Sequence, residues 1–239
     1  MIVGAYSRIF DEMDEAFTAL TRERGTHEPV YLNAHQAPHT IPRGATVYNM
    51  ENVGVQIPPT MFDGCAIWDM SERNVALWRN HGRNAVHVPL GYHPVFERFT
   101  PKPWKERDID VLLLGWSNVR RQNVLNELAR RGLKALRVYD IYGVARDQLL
   151  ARTRVVLNML FYTTGFFPQL RLLKSVPNHV LTVSEEAIEA PSWATPAPVP
   201  YHRLADKCAE LCALSDNDAN ALAEQAKSIL HQNPLRLPA

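Results

Sequence analysis

The chain has 239 residues, and its 26 basic and 25 acidic side chains leave a formal net charge of +1. So even a balance excludes wholesale attraction to nucleic acid or to an anionic membrane, and any basic site has to be local. Three cysteines without metal-ligand spacing (Cys65, Cys208, Cys212), an N-terminal apolar run too short for a signal peptide, and no stretch near the roughly 18 apolar residues of a membrane span predict a soluble, cytoplasmic protein with reduced, buried thiols.

The length suits one large domain or two small ones. Met1 to Ala5 reads as a short strand, followed by a helix with Phe10, Met13, Phe17 and Leu20 on one face and Gly25 as its stop. Val30 to Asn33 is a second strand, whose end delivers His35 into a loop. Thr46 to Asn49 is a third, running into Met50 and Glu51. Cys65 to Trp68 is a fourth, followed at once by Asp69. Ser71 is placed to cap a helix from Glu72 to Asn80 that carries Trp78 as a core residue, and Ala85 to Val88 makes a fifth strand. Strand, helix and loop in alternation argue for a parallel sheet covered by helices.

Between Leu90 and Lys105 the prolines Pro94, Pro101 and Pro103 keep the chain extended, which predicts a linker. The alternation then resumes. Strands are expected at Val111–Leu114, Leu136–Tyr139, Val155–Leu160 and Val180–Val183. Helices are expected through Val124, Leu125 and Leu128, over Ala145–Ala151 and Pro168–Val176, and in the tail over Tyr201–Leu214 and Asp216–His231. The stretch from Asp110 to Gly132 is half of a βαβ unit. Its strand-to-helix loop is where unpaired backbone N–H groups and the helix dipole favour an anion. Gly115 allows close backbone approach, and Asn118, Arg120 and Arg121 follow it, so adjacent guanidiniums could hold a nucleotide diphosphate in forked hydrogen bonds. The competing reading makes Arg120 and Arg121 solvated first-turn residues.

The segments Tyr48-Asn49-Met50-Glu51-Asn52, Trp68-Asp69-Met70-Ser71 with Asn74, Val88-Pro89-Leu90-Gly91-Tyr92, Gly115 with Arg120-Arg121, Val156-Leu157-Asn158, Gly165-Phe166-Phe167 with Gln169 and Arg171, and Ser184-Glu185 carry a resemblance over nearly the whole chain. In that order they resemble the GT-B glycosyltransferases, close to a bacterial and phage group whose C-terminal half is similar to the group 1 enzymes. The resemblance implies an α/β protein of two Rossmann-like domains facing each other across a cleft, with a small N-terminal domain. Residues 1–92 would form the acceptor side, 93–107 the linker and 108–239 the nucleotide-sugar domain. It implies transfer of a sugar from a nucleotide-diphosphate donor such as a UDP-sugar to a hydroxyl acceptor, which could be a saccharide, a small molecule or a macromolecule. The sequence departs from the group at Phe167-Pro168-Gln169-Leu170-Arg171, where many relatives have a glutamate before the arginine.

Within that expectation Gly115, Asn118, Arg120, Arg121, Gly165, Gln169, Arg171 and Lys174 are candidates for the donor diphosphate and sugar. Trp116, Tyr142, Gly143, Tyr162 and Glu185 are candidates for the nucleobase and ribose. His35, Glu51 and Asp69, each just past an N-terminal strand, are candidates for catalysis, with His35 or Glu51 as general base. Asp69 and Glu185 form no D-x-D pair, so neither a metal site nor a cofactor is expected. A dehydrogenase would need a G-x-G-x-x-G after Met1–Ala5 or Val111–Leu114, and neither strand has one. A catalytically silent nucleotide-sugar-binding protein, acting as a partner or regulator, remains the alternative.

Overall fold

The computed structural model describes residues 11–25, 29–163 and 165–238. The strand expected at Met1–Ala5, and Phe10 of the first helix, lie outside them. The chain divides into two compact units, Met1–Val95 with Leu235–Ala239, and Phe96–Pro234.

Unit 1 carries a four-stranded parallel sheet of β1 (Val30–Leu32), β2 (Thr46–Asn49), β3 (Ala66–Asp69) and β4 (Asn84–His87), ordered as in the chain. Side chains alternate across it, because successive strand residues point to opposite faces. Val47, Ile67 and Ala85 pack with Val75 and Trp78 of helix α2 (Glu72–Asn80). On the opposite parity Tyr48 and Trp68 meet Phe17 of α1 (Asp11–Glu23), at ring separations of 4.7 and 6.3 Å. Ser71 caps α2 as expected, its hydroxyl accepting from the Asn74 N–H at 3.1 Å. The strand before it ends one residue later than the apolar run suggested, so Asp69 is its last residue.

Unit 2 has a second parallel sheet in the order β6-β5-β7-β8, made of β5 (Ile109–Leu114), β6 (Ala135–Val138), β7 (Thr153–Asn158) and β8 (Leu181–Ser184). Val111, Leu113, Val155, Leu157, Leu181 and Val183 face α3 (Val119–Arg130), α6 (Leu204–Cys212) and α7 (Asp216–His231). The other face, with Leu112 and Val156, packs on Leu150 of α4 (Gly143–Ala151). A short helix, α5 (Gln169–Ser175), leads into β8. The three cysteines are free and buried. No helix among the described residues is long and apolar enough to cross a membrane.

The proline-rich stretch is not uniformly extended: it makes 3-10 turns at Pro94–Phe96 and Trp104–Glu106, and from Phe96 onward it belongs to unit 2. Trp104 is buried in that core, and its indole N–H donates to the Leu214 carbonyl at 3.2 Å. Arg107, also buried, donates to the carbonyls of Lys102 and Thr153. The chain end returns to unit 1, where Leu235 and Leu237 are buried and the Leu235 N–H donates to the Tyr92 carbonyl at 2.7 Å.

Candidate functional site

In unit 2 the chain leaves β5 toward β6 on one side, then crosses to β7 on the other. Connections diverging from one central strand open a crevice beyond the carboxyl ends of β5 and β7, the usual ligand position in open α/β sheets. Two guanidiniums occupy it. Arg171, on α5, donates to the Leu114 carbonyl at 2.9 Å, to Asn158 Oδ1 at 3.1 Å and to the Met159 carbonyl at 3.3 Å. Arg121, on α3, donates to the carbonyls of Trp116 and Met159, at 2.7 and 2.8 Å, and its Nε reaches that of Leu160 at 3.4 Å. Between them runs Gly115 with φ 127, and a Cβ there would stand 3.2 Å from both Arg121 Nη1 and Arg171 Nη2. Only glycine fits this backbone and this approach.

The charge at this point is unbalanced. Burial, then the neighbouring Arg121, pushes Arg171 down to about 9. Burial, then Arg120, pushes Arg121 down to about 10. The nearby carboxylate is Glu185, and it is taken by Arg120 in a two-pronged ion pair while accepting the Leu160 N–H at 3.0 Å. With Glu185 spent on Arg120, Arg121 and Arg171 have no carboxylate in hydrogen-bond contact, and Arg137 adds a further guanidinium at the Gly115 carbonyl (3.3 Å), so an arriving anion would relieve their repulsion.

The expected side-by-side fork of Arg120 and Arg121 does not form. Successive helix residues point about 100° apart, so Arg121 turns inward to the strand ends while Arg120 turns to Glu185 and lies over the Tyr201 ring at 4.1 Å. Glu185 thus holds an arginine in this structure. Asn118 caps α3, its Oδ1 accepting from the Arg121 N–H and its Nδ2 donating to the Phe161 carbonyl, both at 2.9 Å. Trp116 is 60% exposed and packs against Tyr139 with ring centroids 3.9 Å apart. Tyr162 is exposed and meets Phe161 edge-on. Tyr142 stands at the N-cap position of α4 without a side-chain capping hydrogen bond, and Gly143 begins the helix with φ 56. Gly165 is buried, Lys174 is half-buried, and Gln169 is buried with its Oε1 unpartnered.

In unit 1 the loops after β1 and β2 enclose a small pocket lined by Asn33, Ala34, His35, Tyr48, Asn49, Met50, Glu51 and Phe62. The structure thus brings His35 and Glu51 to one place. Burial lowers the His35 pKa, and the His35 Nε2 lies 2.7 Å from the side-chain amide of Gln36. Burial raises Glu51 to about 7, against a smaller opposing hydrogen bond from Gln56.

Asp69 is not among the lining residues of that pocket. It is fully buried, with Asn49 Nδ2 (2.6 Å) and Trp78 Nε1 (2.9 Å) on one oxygen, and the Ser71 N–H (2.9 Å) and Asn74 Nδ2 (3.1 Å) on the other. Four donors occupy its lone pairs, and it has no accessible surface. Its role is positioning. Asn49 and Asn74 each also donate to the Glu51 carbonyl at 2.9 Å, so the buried carboxylate fixes the loop that carries Glu51. Asn33, Tyr139 and the Arg120–Glu185 pairing were not singled out in the sequence, which signals none of them by spacing. Among the described residues no group of three or more His, Cys, Asp or Glu side chains could hold a metal ion.

Comparison with known proteins places this architecture among glycosyltransferase folds. No family description and no curated protein matches the sequence. Solved structures do match in shape. One is AviGT4, a glycosyltransferase involved in avilamycin A biosynthesis (TM-score 0.53, 12% identity, 95% of this chain and 88% of that one). Another is a glycosyltransferase from Rickettsia africae ESF-5 (TM-score 0.52, 9% identity, 97% of this chain and 79% of that one). At this identity the likeness concerns the fold.

Proposed function

We propose that the chain is a glycosyltransferase that moves a sugar from a nucleotide-diphosphate donor, such as a UDP-sugar, to a hydroxyl acceptor. The observation that carries this reading is the pair of guanidiniums, Arg121 and Arg171, held by carbonyls against Gly115 at the carboxyl ends of β5 and β7 without a carboxylate in hydrogen-bond contact. Departure of a nucleoside diphosphate develops charge on the phosphate oxygens, and preorganised cations stabilise that charge. Arg121 and Arg171 are held by carbonyls that leave their positive charge uncancelled, so they supply this without a bound metal. Gln169 Oε1, a buried acceptor without a partner two residues before Arg171, suits a hydroxyl of the donor sugar. The exposed Trp116 offers a face on which a nucleobase stacks.

Unit 1 contributes the acceptor side. Glu51, at about 7, is poised to take a proton near neutral pH, whereas His35 has a ring nitrogen engaged with Gln36. The buried free thiols fit a reducing, cytoplasmic setting. The test is incubation with UDP-, GDP-, ADP- and dTDP-sugars, following slow donor hydrolysis with and without EDTA. Hydrolysis of one donor class, insensitive to EDTA and lost in Arg171→Met, is expected. Absence of both nucleotide binding and hydrolysis across the panel would overturn the proposal.

A further inference from the structure

Arg137 lies in β6, the edge strand of the unit 2 sheet, opposite Leu113 of β5. Its side chain is exposed, yet it folds over the strand ends, where its Nη1 donates to the Gly115 carbonyl. A third guanidinium thus reaches the glycine already flanked by Arg121 and Arg171. An exposed arginine is free to turn to water or to an acidic neighbour. Elsewhere on unit 2 that is what happens, for Arg130, Arg131, Arg152, Arg154 and Arg203 each meet a carboxylate. Arg137 meets none among the described residues, and its charge adds to burial and Arg120 in lowering the Arg121 pKa. Cations gathered against their own repulsion call for an anion among them.

The surroundings give that anion a direction. Just past β6, the Tyr139 ring packs on the exposed Trp116, so an aromatic pair stands on the β6 side of Gly115. On the β8 side the matching groups are spent, because Arg120 covers the Tyr201 ring and holds the Glu185 carboxylate. A nucleoside therefore finds its stacking surface beyond β6. Arg137, two residues before Tyr139, is the cation on that side. Arg171, bonded to Asn158 Oδ1 and the Met159 carbonyl at the end of β7, is the cation on the other.

We propose that Arg137 binds the phosphate adjoining the nucleoside of the donor, so that the base lies against the Trp116–Tyr139 pair and the sugar end extends past Arg171 toward β7. This rests on the nucleotide-diphosphate reading given above. The bond to Gly115 uses one N–H of the guanidinium, and the rest of the fork is left for phosphate oxygens.

The experiment uses the full chain and calorimetry on the mono- and diphosphates of uridine, guanosine, adenosine and thymidine, with inorganic pyrophosphate alongside. Arg137→Gln removes the charge, and Arg137→Lys restores it without the fork. The wild type should bind at least one nucleoside diphosphate and, more weakly, its monophosphate. Arg137→Gln should lose about tenfold or more on both with the melting temperature unchanged, and Arg137→Lys should recover part of the loss. The loss should persist at about 1 M salt, where the screening length is about 3 Å, as a direct contact requires. Trp116→Ala should weaken the nucleotides and leave pyrophosphate unchanged. Equal nucleotide affinity in wild type and Arg137→Gln would overturn the assignment, as would a loss confined to low salt or a monophosphate that binds Arg137→Gln as it binds wild type. Unweakened nucleotides in Trp116→Ala would overturn the direction. No nucleotide binding to the wild type would overturn this assignment and glycosyl transfer together. If nucleotides bind through Arg137 but no nucleotide-sugar is turned over, glycosyl transfer fails and the Arg137 assignment stands.

Discussion

Replacing Glu51 by Gln should make the protein more stable and less active at the same time. Burial raises the folded pKa of Glu51 from 4.5 to about 7, so folding favours the protonated acid. Stability from this group is fully present below about 4.5 and lost as pH rises through about 7. At 1.36 kcal/mol per pH unit, the interval amounts to about 3 kcal/mol, which wild type forgoes at pH 8 and the uncharged Gln side chain does not. Partial solvent contact and the Gln56 hydrogen bond make this an upper figure. The assay is amide exchange at Val47 and Ile67 in β2 and β3, with equilibrium urea unfolding as a check, for wild type and Glu51→Gln at pH 5 and pH 8. The variant should gain up to about 3 kcal/mol at pH 8 and under about 1 kcal/mol at pH 5, while transfer falls by about 100-fold or more. A variant no more stable than wild type at pH 8 would refute the desolvated-carboxylate argument, whatever happens to activity.

Gly115→Ala should weaken nucleotide-diphosphate binding by tenfold or more, measured by calorimetry, because its Cβ meets two guanidiniums at 3.2 Å and the backbone angle adds about 1–3 kcal/mol of strain. Unchanged affinity in the folded variant would show that the anion does not sit against this glycine. Arg120→Ala leaves Glu185 buried without its ion-pair partner and should cost about 3–5 kcal/mol in urea unfolding, far more than a surface substitution. Asp69→Asn presents one acceptor oxygen to four donors and should cost about 2–4 kcal/mol, with loosened exchange protection at Val53. Normal protection there would mean that the loop bearing Glu51 is held by something else.

Much of the scaffold was legible because it is local. Thr46–Asn49, Glu72–Asn80 and Asp216–His231 are bounded by caps or by apolar alternation, signals that act over a few residues. The site was legible only as residue types. Arg121 reads as a surface cation until β7 brings the Met159 carbonyl to it across 38 positions of sequence. Asp69 reads as a catalytic candidate just past a strand until Trp78 and two asparagines converge on it. Arg137 carries no motif, since what distinguishes it is an ion pair it does not make. The prolines signalled a break in the helix alternation, but the 3-10 turn that buries Trp104 depends on helix α7 far downstream.

The return of Leu235 and Leu237 to unit 1 makes unit 2 an insertion within unit 1's chain. A fragment ending at Val95 lacks those two side chains, the Leu235–Tyr92 hydrogen bond, and the Leu237 carbonyl that accepts from Arg24 at 2.6 Å. Phe96–Pro234 is one continuous piece of chain. Unit 1 has to be spliced from Val95 to Leu235 before it is whole.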